Sequence, residues 1–139
     1  MSDAVLKPVL KSYVATILLV TLAAGLVSLL VPTLPVPPAL ALPVLFVTAM
    51  EAGRKFALGT ARALTRGERA RFSGIAAGLQ VGIGVLALGL LLATERQAIV
   101  AIHPLGIALV LALTAMGGFA ITYAGLGFGA TRALRKRAG

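Results

Sequence analysis

The chain has 139 residues, enough for one domain, and 59% of them are hydrophobic, well above the share found in soluble proteins. A soluble fold of this size buries only about two-thirds of its unfolded surface, so a water-soluble globule is excluded and lipid is the solvent that fits. Thirteen basic residues against four acidic ones give a net charge of +9, but they gather at the ends of apolar runs, which points to anionic headgroups and no nucleic acid.

Lys7 and Lys11 lead into an uncharged run at 12–31, about the 20 residues that a spanning helix needs. It exceeds the ~7–15 apolar residues of a signal peptide, and a retained helix is expected. The stretch PTLPVPP at 32–38 carries four prolines, which break the helix. Pro38 suits the first position of a second helix, giving a span at 38–58 that tilts or kinks at Pro43. Further spans are expected at 72–93 and 105–129, separated by the polar break TERQAIVAIHP, and the tail RALRKRAG closes the chain.

Four spans put both termini on one side. Lys7, Lys11, Arg54, Lys55, Arg62, Arg66, Arg69, Arg71, Arg132, Arg135, Lys136 and Arg137 fall on that side, against Arg96 alone on the other. The positive-inside rule then makes the termini and the central loop cytoplasmic. The expectation is an all-α membrane protein: one integral domain over 1–139, a four-transmembrane-helix bundle, N-in/C-in, with a basic helical hairpin between helices two and three. Tyr13, Phe56, Phe72, Tyr123 and Phe128 fall near the cytoplasmic ends of spans, as interfacial aromatics do.

Within that hairpin, Thr65-Arg66-Gly67-Glu68 has the spacing of a capping box, so helix three should begin near Arg66. Its cations Arg54, Lys55, Arg62, Arg66, Arg69 and Arg71, with Arg132, Arg135, Lys136 and Arg137, form the candidate contact for headgroups or for an acidic partner. Each basic residue near anionic lipid contributes about 1 kcal/mol, and lipid anchoring is the ordinary use of such a cluster. Glu51 is the one acid at membrane depth, about 20 Å into a hydrocarbon layer of about 30 Å. Arg54 and Lys55 follow at i+3 and i+4, so a local ion pair is expected; the functional alternative is a proton or cation site.

Gly74, Gly78 and Gly82 repeat every four residues on helix three, and Gly125 and Gly129 do so on helix four. Such ridges let helices approach closely in lipid, so they are expected to join helices three and four, or else to form a seam with a second copy or another subunit. Thr16, Thr48, Thr114 and Thr122 can return their hydroxyl protons to their own helices. Gln80 cannot, and is expected to bond across helices. His103 is a lone loop histidine, and with no Cys in the chain neither a disulfide nor a metal or cofactor site is expected.

The segments AMEAGRKFA, LTRGERAR and TYAGLGFGATRALRK resemble a family of uncharacterised small bacterial inner-membrane proteins with four transmembrane helices and a Met-Glu-Gly-Phe-Ala type pattern ending helix two. The resemblance matches Glu51, Gly53, Phe56 and Ala57, with Gly127 and Gly129, and implies a shared packing design without an assigned activity. Small multidrug exporters are set aside because the first span holds no acid, and glutathione-using membrane enzymes because the chain lacks asparagine. Membrane thiol oxidases need cysteines, and intramembrane proteases need a catalytic pair or zinc cluster that one aspartate and one histidine cannot form. What is left is a non-catalytic inner-membrane protein, an accessory or structural subunit of a membrane assembly. The alternative is a small ion or solute channel or carrier using Glu51 and Gln80.

Overall fold

A computed structural model of the chain describes residues 2–31, 33, 41–94 and 103–139. Among the described residues the chain forms four helices and no strand: α1 (Ser2–Leu30), α2 (Ala41–Thr60), α3 (Arg66–Thr94) and α4 (Pro104–Ala138). Three stretches, Ala4–Val27, Arg66–Leu90 and Pro104–Ala138, are long and apolar enough to cross a membrane. α2 is set apart from these because its 20 residues include Glu51, Arg54 and Lys55. The expected start of that helix at Pro38 lies outside the described residues. Pro43 sits in the first turn of the described α2, where a missing N–H has no intrahelical carbonyl to meet.

Helix ends follow local chemistry. α1 starts at Ser2 and not at residue 12, because Leu6, Val9, Tyr13 and Ile17 form one buried stripe that holds the N-terminal turns against the bundle. Pro8, in its second turn, removes one hydrogen bond, which that packing tolerates. α3 opens on the expected capping box: the Thr65 amide donates to Glu68 Oε2 at 2.8 Å, and the Glu68 amide donates to Thr65 Oγ1 at 3.3 Å. α4 opens on His103, whose Nδ1 accepts from the Leu105 amide at 3.3 Å, with Pro104 at the first helical position. It runs 35 residues, through the basic tail to Ala138. At about 1.5 Å per residue that is longer than a bilayer core of about 30 Å. Arg135, Lys136 and Arg137 occupy its last turn, where cations meet the negative end of the helix dipole.

The core lies at one end of the molecule. α4 packs along both α2 and α3, while α1 lies against α2. Most of the buried residues come from the N-terminal halves of α1 and α3 and the C-terminal halves of α2 and α4, with Phe56, Phe72 and Leu126 fully enclosed. These are the halves next to the basic stretches. Tyr13 and Phe72 meet edge to face at 5.0 Å between ring centroids, a favoured aromatic geometry. Tyr13, Phe56 and Phe72 are therefore core residues rather than interfacial anchors, while Phe128 is exposed. The opposite halves carry an exposed apolar surface, with Leu19 69%, Leu86 75% and Leu105 74% exposed. That surface is tolerable in lipid and not in water.

Candidate functional site

Glu51 and Gln80 occupy different seams. Glu51 forms a two-pronged ion pair with Arg54: Arg54 Nε donates to Oε2 and Nη2 to Oε1, each at 2.7 Å. The pair is the one that i, i+3 spacing offers, and its side chains are 52% and 42% exposed. Beside it lies an open groove of about 220 Å³ between α1 and α2, with Ser12, Tyr13, Thr16, Thr48 and Lys55 among its lining. Its polar equipment is hydroxyls, one carboxylate and one ammonium.

Gln80 belongs to the seam between α3 and α4. Its amide lies over Gly118, where a methyl group would overlap Oε1. The helices thus meet there as expected, but Nε2 is buried and makes no hydrogen bond among the described residues. Threonines behave as their chemistry dictates: Thr16, Thr48 and Thr114 donate to the carbonyls of Ser12, Val44 and Val110 at 2.8, 2.7 and 2.8 Å. Thr122 differs. Its Oγ1 lies 3.3 Å from the Tyr13 hydroxyl in the buried core, tying α1 to α4.

The glycines divide into two groups. Gly125 and Gly129 form a close contact, but with α2 and not with α3. A methyl at Gly125 would come within 2.8 Å of Ala49 Cβ and 2.9 Å of the Phe46 carbonyl oxygen, and one at Gly129 would overlap the Met50 carbonyl. Gly53 completes this contact from α2, since a methyl there would overlap the Leu126 carbonyl oxygen. By contrast, Gly74, Gly78 and Gly82 have nothing among the described residues within 4 Å of an added Cβ, so this ridge does not join α3 to α4. The α3 face toward α4 runs instead through Arg69, Gln80 and Gly84, where an added methyl group would stand 3.4 Å from Leu111 Cδ2. At about 100° per residue the two faces lie about 150° apart, on nearly opposite sides of α3.

Of the ten candidate headgroup or partner contacts, Lys55, Arg66, Arg71, Arg132, Arg135, Lys136 and Arg137 are exposed, as is Arg54 in its ion pair. Arg62 is held by Glu68 through Nη1–Oε2 and Nη2–Oε1 at 2.9 and 2.7 Å and lies 5.2 Å from the Phe56 ring centroid. The hydrogen bond to Glu68 raises the Arg62 pKa above its ordinary value, against a smaller opposing effect of burial. Arg69 stands 5.0 Å over the Tyr123 ring. Among the described residues no three His, Cys, Asp or Glu side chains converge as a metal site would require.

The fold and these sites define the class: an all-helical chain with three helices long and apolar enough to cross a membrane. No family model, no curated protein and no solved structure matches the chain.

Proposed function

We propose that this chain is a non-catalytic polytopic membrane protein, an accessory or structural subunit of a bacterial inner-membrane assembly. It would cross the membrane four times, with α2 as the charged fourth span and both termini and the loop at 61–65 in the cytoplasm. The observation that carries this reading is the uneven packing. One end of the bundle is enclosed by small-residue contacts, while the far halves carry large exposed apolar side chains and, among the described residues, an added Cβ on the Gly74–Gly78–Gly82 ridge meets nothing within 4 Å. Surfaces of this kind suit lipid and neighbouring helices. The gathering of twelve cations at the packed end supports the orientation.

The channel or carrier reading gains no support from Glu51 and Gln80, which lie in separate seams among the described residues. A hydrophilic route needs groups that replace hydration. The deciding experiment is purification in mild detergent with identification of what comes with the chain. A stoichiometric membrane companion is the expected result. A chain that purifies alone, with saturable tracer flux in liposomes, would replace this reading with the carrier. Reporter fusions at the two ends and in the 61–65 loop should all report the cytoplasmic side.

A further inference from the structure

Among the described residues only two cations are partly buried, Arg62 and Arg69. Arg62 has its counterion in Glu68. Arg69 has none, because the two carboxylates whose side chains are described, Glu51 and Glu68, are taken by Arg54 and Arg62. Arg69 is packed into the seam: its guanidinium lies over the Tyr123 ring and against Gly127, where a methyl group would come within 2.6 Å of Nη1. Its Nε is buried and unpartnered, and so is the fully buried Oγ of Ser73 one turn further along α3. A charge partly withdrawn from water gains from an opposite charge beside it, and among the described residues no carboxylate is left to supply one.

We propose that Arg69, seated between Tyr123 and Gly127 in the α3–α4 seam, is the binding site for a phosphate group, supplied by an anionic phospholipid headgroup. The guanidinium fork matches phosphate oxygens. The glycine at 127 lets it lie flush on α4, so the donors are held in place before the anion arrives, which lowers the cost of binding. The lipid source rests on the membrane reading above, whereas the phosphate site itself does not.

The test uses the full chain in neutral detergent and follows its thermal unfolding midpoint with phosphatidylglycerol, phosphatidylcholine or inorganic phosphate added. Phosphatidylglycerol should raise the midpoint more than phosphatidylcholine, whose phosphate already has its own choline cation as counter-charge. Arg69→Gln should weaken that binding roughly tenfold or more, the loss expected for one charge-assisted hydrogen bond. Its ligand-free midpoint should be unchanged or higher, since an uncompensated charge has gone. Arg71→Gln, one residue away and exposed, should keep the full response. If Arg69→Gln fails to fold, Gly127→Ala serves instead, because it displaces the guanidinium without changing the charge. A response to inorganic phosphate that needs Arg69 keeps the site and assigns it to a soluble phosphate compound. No response to phosphatidylglycerol or inorganic phosphate, an equal response to phosphatidylcholine, or a response that survives both substitutions overturns the proposal. Neither result bears on whether a membrane companion copurifies.

Discussion

The backbone of Gly53 rests against the carbonyl of Leu126, so closely that a methyl group on Gly53 would occupy the space of the carbonyl oxygen. Gly125 and Gly129 answer from the other helix, and between them α2 and α4 meet backbone to backbone. Dispersion contacts of this kind hold helices together where lipid is as apolar as the side chains.

Substituting Gly53 with Ala should therefore separate α2 from α4. The obstacle is backbone, which cannot rotate aside, so a loss at or above the usual 1–3 kcal/mol of overpacking is expected. The readout is the thermal midpoint in detergent. Gly74→Ala, which meets nothing within 4 Å, should leave it unchanged or slightly raised, and equal effects at the two positions would contradict the packing described.

The Tyr13 hydroxyl is the second link that a single substitution can probe. Tyr13→Phe removes its hydrogen bond to Thr122 at a cost of about 0.6–1.7 kcal/mol. Thr122→Val leaves the phenol buried and unpartnered, and should cost more, about 1–3 kcal/mol. The double variant should recover part of that loss, and strict additivity in the cycle would show that the two hydroxyls do not interact.

How much of this was legible in the residues depends on how local each cause is. The capping box at Thr65–Glu68, the threonine bonds to i−4 carbonyls and the Glu51–Arg54 pair involve neighbours within one turn, and all were readable. Helix ends were less so. His103 became an N-cap through its own side chain, and the N-terminal turns of α1 are kept by contacts with other helices. The glycine ridges were visible as ridges, but not which helix each would face: Gly125 and Gly129 turn to α2, and Gly74, Gly78 and Gly82 turn outward. That choice is made by the orientation of whole helices, which spacing along a single helix does not encode. Gly53 was marked only by resemblance, because one isolated glycine shows no period.

Ala61 is the one described non-glycine residue with a positive φ, at 55°. It ends α2 in the left-handed region, where an L side chain costs about 1–2 kcal/mol. Ala61→Gly should recover up to about 1 kcal/mol of that. Thr65→Ala, four residues on, should cost about 0.5–2 kcal/mol by removing the cap of α3. Hydrogen exchange at the first turn of α3 should speed up in the Thr65 variant and not in the Ala61 one.

Glu51→Gln should scarcely change stability. Its ion pair with Arg54 is about half exposed, and pairs of that kind contribute about 0–1 kcal/mol. Detergent midpoints within that range, together with unaltered tracer flux in liposomes, are expected. A large loss of flux with stability intact would instead make the carboxylate a transport group and revive the carrier reading.

The outward ridge on α3 gives the last prediction, which separates folding from assembly. Among the described residues nothing lies within 4 Å of a Cβ at Gly78, so Gly78→Leu should leave the stability of the isolated chain, read from its thermal midpoint, within about 0.5 kcal/mol of the original. In a membrane assembly the same substitution adds a bulky side chain to a surface that only small residues allow another helix to approach. The companion recovered on mild purification should then be reduced or lost while the chain itself remains folded. If both folding and recovery are untouched, the ridge faces lipid, and any companion docks elsewhere on the bundle. If the isolated chain unfolds, Gly78 has a neighbour within the chain and the outward phase of the ridge is wrong.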